Sequence, residues 1–390
     1  MNPSPTLTSH LPAPKSHLPS PNRILLIRPD HLGDVLLAAP VGLVLRAGLP
    51  SARIDWLVGP WATEVVRRAS HADAIMTCDF PGFTRRPKRS AWEPYVELAR
   101  EAGRLRRARY DAALVLRPDH WWGAVLAAAA CIPHRIGFGV PECRPFLTHQ
   151  LPFAGGEHSV ELGLSLARLA AEVLAPGTSV GTAEPAFGVE ADERRWVAGL
   201  LDEAGLAARS PLVAIHPGSG ALLKNWATSR WSEVGEAIQQ RTGGGVVLTG
   251  SREEAALLRE AAARLDSPLV LNGRTSLGQL AALFERCDLV VGGDSGPLHL
   301  AAAVGTPTVR VYGPTDPAVF GPRGPARHRV VQVGLACQPC GNIVAPPCGA
   351  ISGPACLREV SVESVLAEAM QALRPHPRAP SPKFGRGGWG

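Results

Sequence analysis

The chain has few aromatic residues and no long apolar run. Phe, Trp and Tyr make up 5% of its 390 residues. Because no segment has 18 successive apolar residues, the sequence predicts no transmembrane helix. Scarce aromatics beside abundant Ala, Leu and Val favour helices packed on a parallel sheet. Residues 1–22 have no apolar core of a secretion signal and are rich in Pro and Ser, so we interpret them as the disordered leader of a cytoplasmic protein.

The net charge of +6 overstates the charge of the folded body. The leader and residues 374–390, which we interpret as a disordered tail, hold five basic residues and no acidic one. The remainder is therefore close to neutral. A nucleic-acid-binding protein needs a basic patch on its folded surface, so the overall charge does not indicate one.

Residues 84–109 are a local exception, with nine basic and three acidic side chains. They also contain Trp92 and Tyr95. The segment can be read as a solvated helix face with a loop. It can also be read as a surface for an anionic acceptor that lies in a membrane, which would bring the protein to the inner face of the cytoplasmic membrane.

Short apolar runs alternate with helical patterns along both halves of the chain, which predicts an α/β protein. The predicted elements include a strand at Arg23–Ile27 and a helix over Val35–Ala47. The composition changes near residues 175–190, as at a domain link. We predict two doubly wound, Rossmann-like domains that face each other across a cleft, over residues 23–182 and 183–358, followed by an amphipathic helix over 359–373.

Two loops of the first half share a pattern. Arg28-Pro29-Asp30-His31 follows the first predicted strand, and Arg117-Pro118-Asp119-His120 follows a later one. Because the carboxyl ends of parallel strands meet at one edge of a sheet, we expect the two loops at the same edge, where such sheets bind ligands.

Three strand exits in the second half carry polar or glycine-rich loops: His216–Gly220 with Lys224 nearby, Gly250–Glu254, and Asp294–His299. The last loop opens a helix within one βαβ unit over residues 288–317. Free N–H groups at a helix start favour phosphate. In a bound nucleotide diphosphate, a Lys would meet the charge of the pyrophosphate and a carboxylate would accept from the ribose hydroxyls. No loop matches GxxxxGK[ST] or GxGxxG, so an ordinary ATPase or NAD enzyme is not indicated.

Three motifs together resemble one family. RPDHLGDVLLAAP, HPGSGALLKNW and GGDSGPLHLAAAVGTPTVRVYGPTDP are similar to motifs of glycosyltransferase family 9, the heptosyltransferases of lipopolysaccharide assembly, and the likeness runs over about residues 23–373. The resemblance implies a GT-B fold, with an acceptor-binding first domain and a donor-binding second domain. It also implies inverting, metal-independent transfer from a nucleotide sugar such as ADP-heptose to a lipopolysaccharide core or related lipid-linked glycan.

The resemblance also implies roles for single residues. Asp34 would be the general base, and Asp294 would hold hydroxyl groups of the donor sugar. The other implied donor-binding residues are Ser219 and Lys224 at the diphosphate and Glu254 (with Glu253 as an alternative) at the ribose. Ser295, Gly296 and His299 would hold phosphate through the helix start.

Local interpretations compete with several of these roles. Asp34 can be an acid favoured by a helix N-terminus, and Asp294 an N-cap. His299 can be a core group with satisfied hydrogen bonds, and His216 is interpreted as structural. Trp121 and Trp122 can be packing residues or can line the acceptor face.

The eight cysteines divide into two groups. Four are scattered and are interpreted as small core residues: Cys78, Cys131, Cys143 and Cys287. The others cluster near the end of the chain, where reduced packed thiols and a structural zinc site are both open: Cys337, Cys340, Cys348 and Cys356. No metal ion is assigned to the transfer reaction.

Two further functions stay open besides transfer: a nucleotide-sugar epimerase of the same fold, and a binder of nucleotide sugars without catalysis. An epimerase needs additional acids and histidines at the cleft and no acceptor surface. A binder needs no base, so Asp34 argues for the transferase.

Overall fold

The computed structural model describes residues 23–84, 90–323 and 328–374. Its strands form two six-stranded, all-parallel sheets, ordered β3-β2-β1-β4-β5-β6 and β12-β11-β10-β7-β8-β9. The leader and nearly all of the tail that the sequence predicts lie outside the described residues.

The first domain contains the following strands and helices: β1 Arg23–Arg28, α1 Leu32–Ala38, α2 Pro40–Gly48, β2 Arg53–Val58, α3 Thr63–Ala69, β3 Ala74–Thr77, α4 Glu93–Ala108, β4 Ala112–Val115, α5 Trp121–Ala129, β5 His134–Phe138, β6 His149–Leu151 and α6 Ser159–Leu174. The second domain contains the rest: α7 Ala191–Glu203, β7 Leu212–His216, α8 Thr228–Thr242, β8 Gly245–Gly250, α9 Ala255–Ala262, β9 Leu269–Asn272, α10 Leu277–Arg286, β10 Leu289–Gly293, α11 Gly296–Ala303, β11 Thr308–Val311, α12 Pro317–Phe320, β12 His328–Val331, α13 Ala355–Arg358 and α14 Val362–Ala372.

The predicted fold class, two doubly wound α/β domains, is therefore confirmed. The central strands β1 and β10 are apolar along most of their length and buried, as parallel strands covered on both faces must be. In the first domain, α4 and α5 cover one face of the sheet, while α1, α2, α3 and α6 pack on the other. The predicted boundary near residue 182 falls between α6 and α7 and stays a prediction.

One predicted helix is divided in two, and another begins later than predicted. The helix predicted over Val35–Ala47 is observed as α1 and α2, which separate at Ala39. Pro40 has no N–H to donate, so it interrupts one helix and begins the next. The final helix predicted over 359–373 is observed as α14, and the short α13 lies before the predicted range; Ser361 caps α14 by accepting from the Ser364 N–H at 3.1 Å. Helix α14 packs on the core of the second domain.

The apolar core is continuous between the domains. Helix α1 packs on α11, and buried residues of both, Leu36 and Leu300 among them, belong to one cluster. Both helices begin at the carboxyl edge of their sheets, so this contact brings the two edges together. Among the described residues, none of the helices combines the length and apolarity needed to cross a bilayer.

Candidate active site

The starts of α1 and α11 touch through two glycines. A Cβ atom on Gly33 would lie 3.2 Å from the Gly296 Cα and 3.0 Å from the His299 Cδ2. A Cβ atom on Gly296 would lie 3.3 Å from the Gly33 backbone N. Any side chain here would press on backbone, so the approach of the two domains requires glycine on both sides. The contact places Asp34, next to Gly33, beside the second domain's loop.

Asp34 is the third residue of α1, within its first turn. Its side chain keeps 38% of its surface accessible, and its Oδ1 lies 3.9 Å from the Arg28 Nη2. Burial by the surrounding protein and the charge of Asp30 raise the pKa of Asp34 to about 6. The charges of Arg28, Arg117 and Lys224 oppose this increase without cancelling it. A half-exposed carboxylate whose pKa is raised toward neutrality is suited to accept a proton.

The increase depends partly on Asp30, which is buried and held by two arginines. Arg28 Nε lies 2.7 Å from Asp30 Oδ2, and Arg117 donates from Nη1 to Asp30 Oδ1. Arg117 also pairs with Asp119 at 2.6 Å, so both Arg-Pro-Asp-His loops meet in one ion-pair network. The expectation that the two loops share an edge is confirmed. We did not assign Asp30, Arg28 and Arg117 to the site from the sequence, although the repeated pattern was the signal for them.

On the facing domain, Lys224 and Asp294 form an ion pair. The Lys224 Nζ lies 2.9 Å from Asp294 Oδ2, and the His299 Nε2 lies 3.7 Å from Oδ1. Burial acts to raise the pKa of Asp294, but His299 and Lys224 overcome it and hold that pKa well below its ordinary value. Asp294 is therefore ionised at every physiological pH.

A fully buried arginine determines which nitrogen of His299 carries the proton. Arg310 Nη1 lies 3.2 Å from His299 Nδ1, and its Nη2 donates to the Leu298 carbonyl at 2.9 Å. Because a guanidinium group only donates, Nδ1 must accept. The remaining proton of the neutral ring is then on Nε2, which faces Asp294. Burial, together with the Arg310 charge, lowers the pKa of His299 to about 4.

Ser295 precedes α11, with Gly296 as the first residue of the helix. The Ser295 side chain is buried, makes no capping hydrogen bond, and its Oγ has no hydrogen-bond partner among the described residues. A buried hydroxyl without a partner costs free energy unless something else binds it. Free N–H groups at the same helix start add a preference for an anion.

The exit loops of β7 and β8 meet beside this helix start. A Cβ atom on Gly218 would lie 1.8 Å from Glu254 Oε1, so the carboxylate lies against the His216–Gly220 loop. Its Oε2 accepts from the Ser251 N–H at 2.7 Å. Ser219 Oγ lies 2.7 Å from Asn225 Oδ1, which ties this loop to the turn that carries Lys224. Glu253 is exposed, which favours Glu254 as the residue that faces the loop.

His216 and Trp122 have the structural and packing roles that the sequence suggests, whereas Trp121 does not. His216 is buried, with Nδ1 3.0 Å from Thr249 Oγ1, and burial lowers its pKa to about 4, as expected for a structural residue. Trp122 is buried and packs edge-to-face on Phe80 at 5.7 Å. Trp121 is half exposed, so packing explains only one of the pair.

The cysteine interpretations are corrected at one position. Cys78, Cys143 and Cys287 are buried, but Cys131 is exposed and is not a core residue. It occupies a turn after α5 with a positive φ of 57°, which leaves its side chain outside the core. The four clustered cysteines line one small cavity with Leu223 and Pro314. In the part of the chain that the structure describes, no group of three or more His, Cys, Asp or Glu residues is arranged to hold a metal ion.

Two all-parallel doubly wound domains with their carboxyl edges in contact define the GT-B fold. The model of glycosyltransferase family 9 (heptosyltransferase) matches residues 98–346, and the chain belongs to this family. Lipopolysaccharide heptosyltransferase 3 of Escherichia coli is 29% identical over 294 residues, which is 73% of this chain and 81% of that protein.

Solved structures agree on the fold. The glycosyl transferase family 9 protein from Veillonella parvula DSM 2008 has a TM-score of 0.72 and 23% identity, and the match covers 90% of this chain and 97% of that one. E. coli ADP-heptose lps heptosyltransferase II has a TM-score of 0.70 and 23% identity, with 90% and 98% covered. Membership of glycosyltransferase family 9, with lipopolysaccharide heptosyltransferases among the relatives, makes the protein a glycosyltransferase of the heptosyltransferase type.

Proposed function

We propose that this enzyme transfers a heptose from ADP-heptose, with inversion and without a metal ion, to a lipopolysaccharide core or a related lipid-linked glycan. The names of its relatives support the sugar and the pathway: one is a lipopolysaccharide heptosyltransferase, and a protein with the same fold is named for ADP-heptose. The site geometry supports the chemistry.

One observation carries the proposal: a carboxylate suited to accept a proton and a cation suited to a diphosphate face the same space from different domains. Lys224 is close enough to Asp34 to oppose the increase in its pKa, although 190 residues separate them in sequence. An acceptor hydroxyl at Asp34 and a donor diphosphate at Lys224 would therefore be neighbours.

The reaction follows from this arrangement. Asp34 takes the proton of the acceptor hydroxyl as the oxygen attacks the anomeric carbon. The bond from that carbon to the diphosphate oxygen breaks, and its electron pair leaves with ADP. A single displacement of this kind inverts the anomeric configuration, because attack and departure occur on opposite faces of the sugar.

Charge on the departing diphosphate needs stabilisation that is already in place before reaction. Lys224 supplies a cation, and the Ser295 hydroxyl and the N–H groups at the start of α11, from Gly296 onward, supply donors. These groups support a reaction in which the protein neutralises the leaving group. Ser219 would lie beside the diphosphate, and Glu254 would accept from ribose hydroxyls.

Asp294 would hold the sugar, and His299 beside it would hold phosphate. Asp294 is ionised and accepts hydrogen bonds only, so it suits hydroxyl groups. Binding of the donor would replace part of its contact with Lys224, which then turns to the phosphates. The neutral His299, with its proton on Nε2, would donate a hydrogen bond to a phosphate of the donor.

The test is transfer of labelled heptose from ADP-heptose to a core acceptor that lacks it, with the wild-type enzyme and Asp34→Asn. We expect the variant to lose about 10³-fold in kcat while donor affinity, measured by calorimetry, stays within a few-fold. Asp202→Asn, which replaces an exposed carboxylate on α7, is the matched control and should retain full activity.

Other outcomes separate the alternatives. Full activity of Asp34→Asn would refute the role of Asp34. Conversion of a nucleotide sugar to its epimer without any acceptor would identify an epimerase, and donor binding without either reaction would identify a binder.

A further inference from the structure

The starts of α4 and α5 expose a group of large apolar side chains, which we call the docking face: Trp92, Tyr95, Val96 and Trp121. Their exposed fractions are 73%, 62%, 67% and 50%. Within the described ranges, no other tryptophan or tyrosine is exposed. Concentrated apolar surface of this kind indicates a contact with another body.

Contacts between the starts of α4 and α5 hold the docking face together at one corner of the first domain. The Trp92 and Tyr95 rings lie 5.9 Å apart. Trp122 Nε1 donates to the Pro94 carbonyl at 3.4 Å, which joins the start of α5 to the start of α4, and Trp122 itself packs inward on Phe80. Trp121 is therefore held on the outside by the burial of its neighbour.

The exposed surface of α4 changes from apolar to cationic along its 16 residues, about 24 Å. Its N-terminal half presents Tyr95 and Val96. Glu97 and Glu101 are paired with Arg100 at 2.5 Å and with Arg104 at 2.6 Å, respectively. The C-terminal end presents three exposed arginines with no carboxylate at ion-pair distance among the described residues: Arg106, Arg107 and Arg109.

The position of this face relates it to the candidate site. Helix α5 begins at the carboxyl edge of the sheet, directly after the loop that holds Arg117. Arg117 pairs with Asp30, whose charge acts on Asp34. Trp121 is therefore only four residues along the chain from a side chain of the Asp34 network, on the acceptor's side of the cleft.

We propose that the docking face, together with Arg106, Arg107 and Arg109, seats the enzyme on the surface of an anionic lipid bilayer. Trp and Tyr prefer the boundary between headgroups and acyl chains. An amphipathic helix with apolar and arginine residues on its exposed side lies in that boundary. Seating at this corner brings the Asp34 side of the cleft to a membrane-anchored acceptor. Only this last step rests on the proposed function.

The experiment measures sedimentation of the full-length protein with vesicles of phosphatidylglycerol and phosphatidylethanolamine, and with phosphatidylcholine vesicles. We expect binding to the anionic vesicles that weakens as salt increases. The triple variant Trp92→Ser, Tyr95→Ser and Trp121→Ser should bind about ten-fold more weakly or worse. Arg106→Gln with Arg107→Gln should lose less affinity and most of the salt dependence.

The matched control removes exposed apolar side chains elsewhere: Val344→Ser with Ile351→Ser, both 88% exposed in the wild type. This control should bind vesicles as the wild type does. The double variant Trp92→Ser with Tyr95→Ser, which leaves Trp121 in place, should still transfer sugar to a deacylated, water-soluble acceptor at the wild-type rate and lose rate only on acceptor embedded in vesicles.

Several results would overturn the proposal. One is unchanged vesicle binding by the triple variant, which would assign binding to the basic tail. Others are equal binding to phosphatidylcholine, and self-association of the wild type without lipid that the triple variant abolishes. Vesicle binding needs no sugar transfer, so it can fail or succeed independently of the proposed reaction.

Discussion

Asp34 in the first domain and Asp294 in the second both follow the exit of a central parallel strand, yet their surroundings shift their pKa values in opposite directions. Burial acts to raise the pKa of both; Asp34 has in addition a carboxylate neighbour, Asp30, and its nearest arginine nitrogen, Arg28 Nη2, lies 3.9 Å away. Asp294 has a lysine at 2.9 Å and a histidine nearby. One carboxylate is left able to take a proton, while the other stays charged.

Two domains of one architecture thus divide the chemistry between them. A base must bind a proton within the working pH range, whereas a sugar-binding carboxylate must not. The difference is set by which charges the neighbouring loops supply: the Arg-Pro-Asp-His loops surround Asp34 with both signs, and the turn with Lys224 supplies Asp294 with a cation.

Asp294→Asn should have the largest combined effect on binding and stability, because it leaves Lys224 in a mostly buried position without its partner. We expect the free energy of unfolding to fall by about 3 kcal/mol and donor affinity to fall by about 100-fold through the lost hydroxyl contacts. Chemical denaturation and calorimetry measure the two quantities. Unchanged stability would mean that the ion pair is not formed in solution.

The pH dependence should separate the two carboxylates directly. Asp34 acts as a base only when deprotonated, so kcat/KM should fall about ten-fold for each pH unit below its pKa of about 6. Asp294 should cause no change of kcat/KM with pH in this range, since its pKa lies well below the ordinary value. In Asp34→Asn the acidic limb near pH 6 should disappear from the residual activity; if it persists, another group titrates there.

The fold and much of the site could be predicted from the sequence, since apolar runs, glycine-rich exits and loop residues are local signals. Lys224, Glu254 and Asp294 lie in or near the strand-exit loops that the sequence marks, whereas their roles and that of Asp34 come from the family resemblance and stay predictions. Their pairings could not be predicted, because the contact between Lys224 and Asp294 joins loops 70 residues apart. Arg310 was missed for the same reason: within a strand pattern it gives no sign that it is buried against His299.

Short elements were harder to predict. Strand β6, His149–Leu151, has three residues and only one apolar side chain, so the alternation that marks a strand is missing. Strand β12, His328–Val331, begins with two basic residues and lies at the sheet edge. Tertiary pairing with β5 and β11, respectively, forms these strands.

Asp34→Asn should stabilise the protein slightly at pH 7–8, opposite in sign to Asp294→Asn. The folded pKa of Asp34 lies above the ordinary value of 3.8, so its ionised form is disfavoured in the folded state. The wild type therefore loses stability as pH rises from about 3.8 to about 6 and carries the full loss above that. The increase on removal should be only about 1 kcal/mol, because the 38% exposed side chain is screened by solvent. Below pH 4 the variant and the wild type should have equal stability, and denaturation across this range checks the sign.

Arg310→Met should have the smallest effect on donor affinity, and its effect should be specific to His299. The substitution removes a fully buried guanidinium group whose hydrogen bonds go to His299, Leu298 and Thr308. Since the Arg310 charge helps to lower the pKa of His299, that pKa should rise, and NMR titration of the histidine ring protons measures it.

In this variant His299 is also free to place its proton on Nδ1 instead of Nε2, so donor affinity should fall by a few-fold while the limb near pH 6, which belongs to Asp34, stays in place. Arg310→Lys restores the charge but not the planar donor geometry. It should therefore recover the low pKa of His299 without recovering full donor affinity. If both variants retain wild-type affinity and titration, the arginine does not act through His299.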